Sequence, residues 1–308
     1  MNLPGGGNKS LQLKADLALL GVTFIWGITF VVVQNALDSI GPYYFLGVRF
    51  LLAFLFLGAI YYRQLLKLDR TTLQAGLIIG MFLFGGYAFQ TVGLQYTTAA
   101  NAGFITGLSV VLVPVFSTFF TRQLPGVFAA GGVILSTTGL AFLSLGQGLR
   151  INRGDLLVFF CAICFALHII MVGRYARHLN PPLLATIQIG AVSLAAFAMG
   201  LSMETWPGQF TRPVWIALLL TAIPATSLAF LIQNSVQRFT SATHTAIIFT
   251  MEPVFAALGA YLLAGEILTA RQLTGCLLIL GGMLLAELKG EPAQTEIQRT
   301  RRAEAGGH

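Results

Sequence analysis

The sequence predicts an all-α membrane protein in which ten transmembrane helices form two inverted five-helix repeats. Three observations lead there: a composition that cannot face water, ten apolar runs of spanning length, and a second half that repeats the first. Of 308 residues, 56% are hydrophobic and 9% charged, and the mean hydropathy is +0.79. Soluble domains carry charge on about a quarter of their residues. A surface this poor in Lys, Arg, Asp and Glu must be solvated by lipid. The net charge of +7 sits in loops and tails and forms no basic face, which argues against a nucleic-acid partner and leaves topology as its role.

A spanning helix needs about 20 mostly apolar residues. Such runs fall at 16–34, 42–62, 73–94, 98–121, 126–146, 155–176, 183–203, 213–236, 242–264 and 270–288. At these lengths only helices satisfy every backbone group in lipid. Gly41-Pro42, Leu124-Pro125 and Pro181-Pro182 mark turns between runs. The run Leu17–Val33 follows Lys9 and Lys14 but has no small-residue cleavage site, so it reads as the first span and not as a leader. With the N-terminus inside, 13 of the 18 Lys and Arg residues fall on the inner side, four (Arg150, Arg153, Arg212, Arg271) on the outer side, and Arg49 within a span. That asymmetry places both termini in the cytoplasm. The expected organisation is a short cytoplasmic segment (1–15), a first repeat (16–148), a second repeat (149–288) and a polar, disordered cytoplasmic tail (289–308).

The internal repeat has an offset near 139 residues. Asp16 matches Asp155, Trp26 matches Phe165, and Pro114-Val115-Phe116 matches Pro253-Val254-Phe255. Pro42 is paired with Pro182 at an offset of 140, and Gly132 and Gly139 with Gly275 and Gly282 at 143. Five spans per half is an odd number, so the halves enter the bilayer in opposite directions. Inverted repeats of this kind enclose a site near the midplane where the halves meet.

These features resemble the drug/metabolite transporter superfamily, in its ten-helix EamA-type branch. The resemblance is carried by Trp26-Gly27, Arg49-Phe50-Leu51-Leu52-Ala53, Thr97-Thr98-Ala99-Ala100-Asn101-Ala102, Glu252-Pro253-Val254 with Glu266, and the stretch from Gly275 to Gly282. It covers residues 16–288 and implies a bacterial inner-membrane exporter of amino acids, other metabolites or drugs, similar to exporters of aromatic and hydrophobic amino acids. The first half departs from the second in having Val113 before Pro114, and no counterpart of Glu266.

Ionisable side chains at the bilayer centre cost about 2.5–3.5 kcal/mol on insertion scales, so each asks for an explanation. Glu252, beside Pro253 in the ninth span, is a proton or amine site, or a structural group that ties down a helix loosened by the proline. Arg49 is its natural partner for charge compensation, and otherwise a receptor for a substrate carboxylate. At the 140-residue register its repeat-mate is Ile189. His168 stands one turn from Phe165, as its repeat-mate Thr29 stands one turn from Trp26. Spans 1 and 6 therefore present matching aromatic and polar patches at one depth. Tyr87, Gln90, Asn101, Thr106, Gln233, Asn234 and Thr250 complete the candidate binding residues, although polar groups in spans also join helices to one another. Gly76-x-x-x-Gly80 and Gly103-x-x-x-Gly107 permit close helix approach. Pro114 and Pro224 are expected kinks.

Cys161, Cys164 and Cys276 lie in apolar runs and read as small buried hydrophobes, with no disulfide framework and no metal set. There is no phosphate-binding loop and no H-E-x-x-H. No cofactor or nucleotide drive is expected. His168, His244 and Glu252 are too sparse for an intramembrane enzyme, and repeated polar faces that would line a channel are missing. The expected function is secondary transport by alternating access, exporting small organic metabolites. Aromatic or apolar amino acids are the favoured solutes and organic cations the alternative. The expected partners are the solute and the bilayer, with a monomer as the working unit.

Overall fold

The computed structural model describes residues 5–97, 99–121, 126–144, 153–264 and 269–289. Glu266 and the tail after Lys289 lie outside them. Every regular element among the described residues is helical. The first repeat contains α1 (Gly5–Leu37), α2 (Pro42–Leu65), α3 (Arg70–Gly93), α4 (Ala99–Gly107), α5 (Ser109–Thr121) and α6 (Val127–Ser144). The second contains α7 (Arg153–Tyr175), α8 (Pro181–Met203), α9 (Arg212–Ala222), a π-helical turn (Ile223–Leu228), α10 (Ala229–Gln237), α11 (Ala242–Phe249), α12 (Met251–Ala264) and α13 (Ala270–Lys289). With α4–α5, α9–α10 and α11–α12 each forming one broken rod, this is the ten-helix repeat fold. Six stretches are long and apolar enough to cross a bilayer unbroken: Gln12–Leu37, Pro42–Leu65, Arg70–Gly93, Arg153–Tyr175, Pro181–Met203 and Arg212–Gln237. Leu194, Leu201 and Leu277 are 69–76% exposed, as lipid-facing side chains should be.

The fourth rod of each repeat breaks ahead of its proline, six residues before Pro114 and three before Pro253. Leu108 N–H bonds to Ile105 O (3.1 Å) and Thr250 N–H to Ile247 O (3.2 Å). These three-residue bonds tighten the backbone just ahead of Pro114 and Pro253, which cannot donate to the ladder. Both α2 and α8 open with a proline at the first turn, Pro42 and Pro181. That sets the repeat register there at 139 and corrects the pairing of Pro42 with Pro182. The counterpart of Arg49 is consequently Gln188, not Ile189.

Helix ends are satisfied locally. The Glu204 carboxylate accepts from Tyr43 N–H (2.9 Å) and Tyr44 N–H (3.0 Å), two free donors at the start of α2. Asp69 caps α3 through Thr72 N–H (2.9 Å) and the Thr72 hydroxyl (2.6 Å). These bonds to its charged form hold the Asp69 carboxyl below its ordinary range.

The halves interlock through small residues. A Cβ on Gly76 would lie 2.6 Å from Ile187, and one on Gly80 2.7 Å from Ala191, so α3 touches α8 at backbone distance. A Cβ on Gly103 would meet nothing within 4 Å, so the expected close approach through Gly103 is not made. Helix α3 runs antiparallel to α7, with Gly93 against Val158 and Gly86 against Phe165. On the side where α1 begins, called the near side below, His244 Nε2 lies 2.9 Å from Asp16 Oδ1. On the far side the Thr97 hydroxyl donates to Asp155 (2.6 Å). Repeat-related acids thus each clasp the start of the other half's fourth rod.

Candidate functional site

Seven rods converge on one cavity, whose lining includes Trp26, Thr29, Arg49, Tyr87, Gln90, Thr106, Phe165, His168, Phe230, Gln233, Phe249 and Glu252. Its volume is about 70 Å³, room for roughly five waters at about 10–15 Å³ each. At about 30 Å³ per liquid water that is a solute of roughly 150 Å³, the scale of one amino acid. The cavity also reaches Val33 and Leu94, near the far ends of α1 and α3. It therefore runs from mid-depth toward the far side. On the near side Gln237 donates to Ile169 O and Asp16 pairs with His244.

The π turn of the eighth rod organises this cavity. Pro224 cannot donate and its ring crowds the preceding turn, and one residue too many is accommodated in the helix. The extra residue turns the Thr226 and Ser227 hydroxyls to carbonyls five residues back. Ala225 O accepts from the Trp26 indole N–H (2.8 Å). Thr226 Oγ1 accepts from Arg49 Nε (2.8 Å) and donates to Thr221 O (2.8 Å). Two cavity side chains from the first repeat thus hang from consecutive residues of the second.

Arg49 is only 3% exposed. Its guanidinium carbon stands 4.9 Å from the centre of the Tyr87 ring and 5.4 Å from that of Phe50, a cation–π arrangement. Tyr87 and Thr226 are repeat-mates at an offset of 139, so matching positions hold one guanidinium from two sides. The aromatic wall continues through edge contacts of Tyr87 with Phe165 (5.3 Å between centres), Trp26 with Phe249 (5.0 Å) and His168 with Phe230 (5.7 Å). His168 Nε2 is 2.7 Å from Gln188 Oε1, and Gln90 donates to the Thr106 hydroxyl (3.2 Å). Glu252 is half-buried and lines the cavity.

The structure brings Trp26, Thr29, Arg49, Tyr87, Gln90, Thr106, Phe165, His168, Gln233 and Glu252 together at this cavity. Arg49 and Glu252 do not form the expected ion pair within 4 Å. The Arg49 Nε donor is taken by Thr226 instead. Asn234 and Thr250 stand off the cavity lining, since their side chains bond to Phe230 O and Ile247 O in their own helices. The side chain of Asn101 lies outside the described residues. Sequence reasoning missed Thr226, Gln188, Phe230 and Phe249. For Gln188 a signal existed in the 139-residue register; Phe230 and Phe249 are hidden among 24 phenylalanines.

Such a bundle, two repeats threaded through a bilayer around a polar and aromatic hollow, defines a multi-pass membrane transporter. The chain belongs to the EamA-like transporter family, whose model matches it twice, at residues 13–145 and 152–288, and with it to the drug/metabolite transporter superfamily. It is 40% identical to an uncharacterized transporter of Archaeoglobus fulgidus over 92% of this chain and 89% of that one. Identity is 27% with the uncharacterized transporter YyaM of Bacillus subtilis, over 89% and 94% of the two chains. It is 25% with a chloroplastic WAT1-related protein of Arabidopsis thaliana, over 92% and 71%. A crystal structure at 19% identity shares the fold, with a TM-score of 0.75 over 90% of this chain and 97% of that one.

Proposed function

We propose that this transporter is a secondary exporter of small organic metabolites, with aromatic and apolar amino acids as its solutes, working by alternating access around the cavity. The observation that carries the reading is one aromatic-walled cavity lined by both Arg49 and Glu252, which do not neutralise each other directly. A buried cation without an ion-pair partner is costly. A zwitterion relieves that cost, with its carboxylate at Arg49, its ammonium toward Glu252, and its side chain against Trp26, Phe165, Phe230 and Phe249. The two repeats would rock about the π turn and the breaks at Leu108 and Thr250, exchanging the Asp16–His244 closure for one on the far side. The charge asymmetry of the loops supports placing both termini in the cytoplasm.

Glu252 among aromatic rings supports a second reading, an exporter of organic cations. Counterflow in liposomes separates the two. Purified protein preloaded with unlabelled amino acids should exchange labelled phenylalanine or leucine, and a quaternary ammonium solute should not compete. Exchange of the ammonium solute without amino-acid exchange would reverse the assignment. Repeating the assay with and without a pH gradient reads proton coupling.

A further inference from the structure

We propose that Thr226 is the positioning residue that makes Arg49 a receptor for the solute's carboxylate, and so sets a preference for amino acids over amines. The inference rests on the zwitterion reading above and adds the element that confers it. A guanidinium carries five N–H donors in a rigid fork. Thr226 takes the Nε donor, and its own hydroxyl hydrogen is committed to Thr221 O, five residues back. That five-residue reach exists because the π turn displaces the carbonyl an α-helical threonine would use. With Nε anchored, rotation about the end of the side chain is blocked and the two Nη groups are fixed.

The Nη groups carry four hydrogens, and the hydroxyl of Tyr87, packed beside the guanidinium, can accept at most two of them. At least two donors remain, on a cation 3% exposed at the edge of the cavity. A carboxylate accepts such a pair in bidentate fashion. An amine offers nothing to it and leaves the buried charge uncompensated. The specificity is thereby built across the repeats, with the fork on α2, the stacking ring on α3 and the anchor in the π turn.

The test uses full-length protein in liposomes, with phenylalanine as transported solute and phenethylamine, which lacks the carboxylate, as competitor. Thr226→Val keeps the shape and removes the acceptor. It should raise the half-saturating phenylalanine concentration by about tenfold, the worth of a hydrogen bond to a charged group, with the maximal rate and the competition by phenethylamine within about twofold. Thr226→Ser should restore phenylalanine affinity. Should Thr226→Val not assemble, Thr226→Ala carries the same comparison. Unchanged phenylalanine affinity, or equal losses for both compounds together with a lowered maximal rate, would overturn the positioning role alone. Wild-type protein that exchanges no carboxylate-bearing solute would overturn the zwitterion reading and this inference with it.

Discussion

The third rods of the two repeats occupy equivalent places and are built in opposite ways. In α3 the residues at the repeat-equivalent of Pro224 and Ala225 are Gly85 and Gly86. The helix stays regular and presses on α7, where a Cβ on Gly85 would lie 2.9 Å from the Cys164 sulfur and one on Gly86 2.3 Å from the Phe165 ring. In the eighth rod Pro224 opens a π turn, where Ala225 O holds Trp26 and Thr226 Oγ1 holds Arg49. One half contributes close packing and the other a set of hydrogen-bond acceptors. Equivalent rods of the two repeats thus meet one cavity with different chemistry.

The largest expected effect breaks the comparison at the residue both rods hold. Arg49→Ala should lower phenylalanine exchange by about 100-fold, since a charged hydrogen-bonding site is lost, while Arg49→Lys retains charge but not the fork and should fall between. Pro224→Ala should relax the π turn toward α-helix. Counterflow should drop several-fold while the unfolding temperature in detergent holds or rises. Gly86→Ala is the mirror experiment. Its methyl displaces Phe165, an overpacking cost of about 1–3 kcal/mol, read as a lower unfolding temperature with weaker phenylalanine affinity. The smallest effect lies outside the bilayer. Asp69, held below its ordinary range by Thr72, contributes stability that is present above the unfolded value of about 3.9 and is lost as pH falls through its lower folded value. Asp69→Asn should remove that acid-side slope in thermal unfolding and change little near neutrality.

What the sequence revealed follows from which terms are large. Lipid solvation leaves so strong a mark on composition that the helical fold and its doubling were legible from apolar runs and recurring prolines. Arg49, Glu252 and His168 stood out because an ionisable group in hydrocarbon is costly. Trp26 and Phe165 stood out through the repeat. Thr226 was not legible, because a threonine in an apolar helix ordinarily bonds its own backbone, as Thr23 and Thr221 do. Thr226 also donates to its own helix, at Thr221 O, and what sets it apart, the Arg49 donor at its oxygen, has no mark in the sequence. Gln188 was hidden by one residue of register, which changes the face a helix position occupies. Asn234 and Thr250 show the converse: a polar residue in a span can turn its donor to its own helix and stand off the cavity.

The most direct measurement is equilibrium competition against labelled phenylalanine on wild-type protein, using phenylalaninamide, which lacks the negative charge, and N-acetylphenylalanine, which lacks the positive one. Recognition by Arg49 and Glu252 together predicts that each analogue binds at least about tenfold more weakly than phenylalanine. If the amide competes as well as the amino acid, the cavity does not read a carboxylate, and the assignment of Arg49 is contradicted.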